Sequence, residues 1–199
     1  MELKKGEIKM DLSQITAGLV AVSASRNSIA GTGSKVYLIS YSDINRITST
    51  VVANVITAIV LNATKKGYIF ETVDNSVDGS SDLVKGTYYS DFDHKVPLRV
   101  FAKTQAAKTF VESLKLARVV AIVENKETGV AGEIKYEAYG WDAGLELMTM
   151  KSTTAMADKV VYEMELGSGA KSKETSLPKS VFITSLTATE TMLGGLIAQ

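Results

Sequence analysis

The chain has 199 residues, 45% of them apolar and 22% charged, which suits one folded domain and excludes global disorder. Its 22 lysines and arginines balance 22 aspartates and glutamates, so it lacks the positive excess of a nucleic-acid binder, and a net charge of zero weakens the self-repulsion that opposes association. With no cysteine, disulfides, thiolate catalysis and thiolate zinc sites are excluded.

Residues 1–34 read as an irregular N-terminal arm. Met1–Lys9 is charged, without the apolar stretch of a secretory signal, and Ser23–Ser34 reads as a glycine-containing loop. Lys35–Ser40 reads as the first strand, and Val51–Asn62 holds one or two more. The apolar run Val51–Leu61 is about half of the ~20 residues a membrane span needs, so no membrane partner is expected. Gly67–Val73 is a strand with Tyr68 and Phe70 on one face and Ile69 and Glu71 on the other.

Asp74–Asp82 is polar and turn-rich, a loop or hairpin tip. Leu83–Tyr89 and Lys95–Phe101 read as strands, with Ser90–His94 a turn or edge between them. One helix stands out around residues 104–116. Thr104 can cap it, and Ala107, Phe110, Val111 and Leu114 form one apolar stripe. Four β segments follow: Arg118–Glu124, Glu133–Tyr139, Leu145–Met150 and Lys159–Leu166. Ile134, Tyr136 and Ala138 share a face of the second. In the third, Leu145, Leu147 and Thr149 oppose Glu146, Met148 and Met150. Residues 167–178 read as a polar linker, Lys179–Thr184 as a last strand, and 186–199 as a C-terminal arm. The expectation is a mainly β domain over 35–185, sandwich-like or barrel-like, with one flanking helix.

The search for chemistry is short. His94, the only histidine, lies among Asp91, Asp93 and Lys95 and reads as a solvated turn residue rather than a zinc ligand. Asp74, Ser76, Asp78, Gly79 and Asp82 fall at calcium-loop positions 1, 3, 5, 6 and 9, but Lys85 stands where the bidentate glutamate belongs. Gly31–Lys35 precedes a strand, whereas a phosphate-binding loop follows one. Glu163 and Glu165 share a strand face and read as solvated. No catalytic, cofactor-binding or metal-ligating residue is expected. Gly140-Trp-Asp-Ala-Gly144 is the most distinctive segment. Its tryptophan either caps the core at a tight turn or anchors a neighbouring subunit. Met148 and Met150 sit on a strand apolar on both faces, which must be covered by the chain's own helix or by a neighbour. Trp141, Met148, Met150, Asp74, Asp78 and Asp82 are therefore the candidate subunit-interface residues.

The order of these elements, with Val96–Phe101, Val119–Glu124, Gly140–Leu147 and Thr154–Asp158, resembles the C-terminal half of the tail-tube (major tail) proteins of tailed bacteriophages, over residues 97–167. The resemblance implies a non-enzymatic virion subunit with no cofactor. Such subunits form hexameric rings that stack into a tube, joining their sheets around a lumen that passes DNA without reading its sequence. Other tail or neck proteins are implied as partners. Residues 1–34, Asp74–Asp82 and Gly167–Lys179 correspond by position to the arms that bind the next ring. Another ring-forming neck or tail-completion protein is the alternative, and a small carboxylate-based enzyme gathering His94, Asp91, Asp93 or Glu163 is a more distant one.

Overall fold

The computed structural model describes residues 32–73, 76–87, 90–129, 131–153, 161–169 and 172–198. Asp74, Thr154–Asp158 and nearly all of the expected N-terminal arm lie outside them. The described residues are mainly β, with two α-helices.

Its centre is a pair of strands apolar on both faces. β1 (Thr32–Ser40) and β7 (Arg118–Asn125) pair antiparallel, from Val36 opposite Val123 to Ser40 opposite Val119. The period-2 alternation sorts their side chains into two separate cores. Val36, Leu38, Val119, Ala121 and Val123 enter the first, while Tyr37, Ile39, Val120 and Ile122 enter the second. β4 (Tyr68–Glu71) flanks β1 and divides as its alternation predicts, with Phe70 and Tyr68 in the first core and Ile69 against the second.

The other edge of β7 serves two strands in succession. β8 (Tyr136–Tyr139) pairs with residues 121–124, and β9 (Leu145–Ser152) pairs with Arg118 and Val119. From β8 the sheet continues through β11 (Lys179–Val181) and β3 (Val55–Ala58) to β2 (Thr50–Val52). From β9 it continues through β10 (Tyr162–Ser168) and β6 (Ser90–Val100) to β5 (Ser80–Lys85). The β9 branch adds Met164, Leu166, Val96, Leu98 and Val100 to the first core, and the β8 branch adds Ala138, Val181 and Ile56 to the second.

Each core has its own helix. α1 (Gln105–Leu114) starts where the Thr104 hydroxyl accepts the Ala107 N–H at 3.1 Å, and it buries the expected stripe of Ala107, Phe110, Val111 and Leu114. Phe110 stacks on Phe70 at 5.5 Å. The second helix corrects the reading of 186–199 as an arm. α2 (Leu186–Gly195) is capped by Ser185, buries Leu193 in the second core, and is followed by backbone hydrogen bonds between Gly67 and both Leu196 and Ala198.

Two further readings are corrected. Ser90–His94, read as a turn or edge between two strands, is the first part of the long strand β6, paired along β5. In β9 the alternation breaks at a register shift, because Leu147 pairs with Leu166 but Thr149 with Glu165 and Met150 with Met164. Cross-strand partners share a face, so Leu147 and Thr149 lie on opposite faces, and Met150 falls in the inner row.

Because both cores share β1 and β7, they should unfold together. Leu114→Ala in the first and Ile122→Ala in the second, both fully buried, should each destabilise the chain by about 2–5 kcal/mol. Urea denaturation followed by fluorescence and circular dichroism should give a single transition for each variant. Separate transitions for the two cores would contradict the shared-centre architecture.

Candidate functional site

The densest polar cluster forms around Gly140–Gly144. This segment is not a reversal. β8 and β9 run in the same direction along one edge of β7, and residues 140–144 bulge out opposite Val120 alone. The Gly144 N–H closes the bulge on the Gly140 carbonyl at 2.9 Å. Both glycines have positive φ, +75° and +79°. A Cβ on Gly140 would lie 2.5 Å from Leu145 Cγ, and one on Gly144 would lie 2.8 Å from Arg118 Cγ, so neither position accepts a side chain without rearrangement.

A buried bulge exposes backbone groups that need partners. The Gly140 N–H donates to His94 Nδ1 at 3.2 Å. The Asp142 and Ala143 N–H groups both donate to the Glu174 carboxylate, at 2.7 and 2.8 Å. The Asp142 carbonyl accepts the Tyr41 hydroxyl at 2.6 Å, and the Ala143 carbonyl accepts from Arg118. The Asp142 carboxylate accepts from Thr175, Ser176 and Lys179 at 2.8, 3.0 and 3.1 Å. Lys179 also reaches Asn54 at 3.3 Å. Trp141 is buried in the second core, with the Arg46 guanidinium 4.4 Å over its ring.

His94 is therefore not the solvated turn residue expected. It is buried in β6, in the inner row with Val96, Leu98 and Val100, edge-on to Tyr139. Its Nε2–H donates to the Ser176 carbonyl at 3.0 Å, which leaves Nδ1 as the acceptor for Gly140 and fixes the neutral tautomer. Burial lowers its pKa from 6.5 to about 4, against the raising influence of Ser176 and Asp142. Burial also pushes the Glu174 carboxyl up, more than its two backbone N–H bonds bring it down. At Asp142 burial works upward too, but Thr175, Lys179 and Ser176 together hold it below the usual carboxylate range.

This network fastens residues 172–179, which include the second part of the 167–178 segment read as a polar linker, onto the sheet. Phe92 and Glu174 exchange both backbone hydrogen bonds, at 2.8 and 2.9 Å, and Lys173 pairs with Asp93 at 2.9 Å. Both His94 nitrogens are occupied and Asp93 is paired. Glu163 faces Arg99, five positions along β6 from His94, or about 16 Å at ~3.3 Å per residue. The structure thus does not gather His94 and Glu163 into one site. Glu163 and Glu165 line an open groove of about 420 Å³ with Pro97, Arg99, Thr149 and Lys151 on the outer face of β6, β10 and β9. Among the described residues no group of three or more His, Asp or Glu is placed to hold a metal ion.

The candidate interface residues separate. Trp141 points into the core. Met148 and Met150 are half exposed on β9, at 48% and 50%. Asp82 projects from β5 and pairs with Lys95 at 2.9 Å, and Asp78, just before that strand, is exposed. The sequence reading passed over the other exposed apolar groups of the sheet ends, namely Leu83 and Val84 on β5, and Val51 and Val52 on β2. Among the described residues no helix is long and apolar enough to cross a membrane.

Comparison with known proteins matches the chain to no family model, no curated protein and no solved structure.

Removing the Glu174 carboxylate leaves two bulge N–H groups unpaired. Glu174→Ala should destabilise the chain by roughly 3 kcal/mol in urea denaturation, and a loss below about 1 kcal/mol would show the latch to be dispensable. His94 carries a pH dependence. Between 6.5 and about 4 the unfolded chain binds a proton that the folded chain excludes, so stability falls as pH drops through that window. His94→Gln should flatten the slope of the urea midpoint against pH from 7 to 4, whereas an unchanged slope would mean that His94 does not titrate in the folded chain as its burial requires.

Proposed function

We propose that this chain is a non-enzymatic structural subunit of a bacteriophage tail, assembling with copies of itself into stacked, hexameric rings that form a DNA-conducting tube. The observation that carries the reading is a sheet that, among the described residues, is open at its ends. Its path ends at β5 and β2, exposed strands bearing Leu83 and Val84 at one end and Val51 and Val52 at the other. Monomeric proteins blunt such edges, because an unpaired strand carrying apolar residues is a template for another chain.

The resemblance to tail-tube proteins supplies the kind of assembly. Three of its four segments fall on connected elements: Val96–Phe101 on β6 and the residue after it, Val119–Glu124 on β7, and Gly140–Leu147 on the bulge and the start of β9. A zero net charge is compatible with a lumen that must not retain phosphate. Head-to-tail contacts between rings are open-ended and produce a filament. Under this reading the protein resides in the virion tail and meets other tail or neck proteins at the ends of the tube.

Negative-stain electron microscopy of the purified full chain, with solution mass measured alongside, tests the proposal. Rings of uniform diameter or tubes are the expected result. A monodisperse monomer at millimolar concentration would overturn it.

A further inference from the structure

Four strands, β9-β10-β6-β5, form the branch of the sheet that covers the first core, and every neighbouring pair in it is antiparallel. β5 and β9 therefore run in opposite directions at its two sides. Among the described residues nothing pairs with the outer edge of β5, and nothing pairs with the β7-side edge of β9 beyond Glu146. Met148–Ser152 is exposed along that stretch, as is all of β5 except the half-buried Ser81.

We propose that the partner of each edge is the other edge on a second copy of this chain, with β5 of one subunit adding antiparallel to β9 of the next. This rests on the self-assembly reading and names the joint. The opposite strand directions allow the branch to continue across the boundary with the same antiparallel pattern.

The residues select one register. On β5, Ser81 and Leu83 share the face of His94 and the inner row of β6, while Asp82 and Val84 share the face of Asp93 and Asp91. On β9 the register shift places Met150 and Ser152 in the inner row, with Met164 and Tyr162, and Thr149 and Lys151 in the outer row, with Glu165 and Glu163. Setting Asp82 opposite Lys151 then puts Leu83 opposite Met150, Ser81 opposite Ser152 and Val84 opposite Thr149. All four pairs keep inner with inner and outer with outer. Leu83, 54% exposed, and Met150, 50% exposed, cover each other.

Charge points to the same register. Across the outer face of one subunit, Arg99, Glu163 and Lys151 lie opposite one another in a row of alternating sign. Asp82 of the neighbour extends that row by its next, negative member. Among the described residues of its own chain Asp82 pairs with the half-buried Lys95, and with Asp82 itself exposed the ion pair carries little weight. A joint between two different edges is heterologous, so it propagates around a ring rather than stopping at a two-fold dimer.

The absence of cysteine makes the joint directly testable. Opposed residues in a strand pair lie within disulfide reach. Full-length Asp82→Cys and Lys151→Cys chains, mixed and mildly oxidised, should give a cross-linked dimer that neither gives alone. Asp82→Lys and Lys151→Asp should each raise the concentration for half-assembly about tenfold or more, and the two substitutions combined in one chain should restore it to within about threefold. Assembly of the unmodified chain without the mixed cross-link would overturn this joint and leave the self-assembly reading standing. Cross-linking of Asp82→Cys with itself would replace the joint by a two-fold β5–β5 contact. Absence of any assembly would sink both readings.

Discussion

The pairing of β1 with β7 is the constraint on which the rest of the structure depends. Each strand is apolar at consecutive positions, Val36 to Ile39 and Val119 to Val123, so each must be covered on both faces. One layer cannot do that. The chain builds two cores, one under α1 and one under α2, and it forks the sheet so that each branch serves one of them. The fork in turn dictates the Gly140–Gly144 bulge. β8 and β9 occupy the same edge of β7 in line, and a five-residue excursion opposite Val120 is what directs β9 into the other branch.

That geometry explains why the most polar residues of the interior sit where they do. A bulge packed against the core carries N–H and C=O groups in need of partners, and these are brought from elsewhere in the chain: His94 from β6, Glu174 from the 172–179 segment, Tyr41 from the turn after β1, and Arg118 from β7. Lys179 neutralises Asp142 at 3.1 Å and donates a further N–H to the amide oxygen of Asn54. A half-satisfied version of this network would cost more than an apolar core. The cluster therefore reads as the fastening of a strap to a fork, with His94 and Glu174 bonded to bulge backbone and Asp142 and Lys179 bonded to each other and to neighbouring side chains.

Much of this was legible in the sequence where a local period carries the signal. The Thr104 cap with its four-residue stripe, the alternation of Tyr68–Glu71 and the apolar run of β7 are complete within about ten residues. The misreadings share a cause, since each depended on a partner distant in sequence. His94 belongs to an alternation of His94, Val96, Leu98 and Val100 that was present in the sequence, but its polar neighbours suggested a turn, and its bonds come from Gly140 and Ser176. α2 has no clean apolar stripe. It holds through the Ser185 cap and through Thr189, which is buried with its hydroxyl between the Ser185 carbonyl and the Ile183 N–H. Nothing local announces the β9 register shift, because it is defined against β10. Of the interface candidates, Met148, Met150 and Asp82 surface on the two open strands, while Trp141 serves the second core.

Among the described residues the two cores are complete, yet one edge of β5 and one edge of the far half of β9 have no strand partner. Hydrogen–deuterium exchange of the full chain, followed by peptide across a wide concentration range, measures this division directly. The account predicts that β1 and β7 exchange slowly at every concentration, and that β5 and residues 147–152 exchange fast when dilute and become protected as copies associate. Protection of β5 and of 147–152 that does not depend on concentration would mean that these edges are already covered within one chain, and would contradict the claim that another copy completes them.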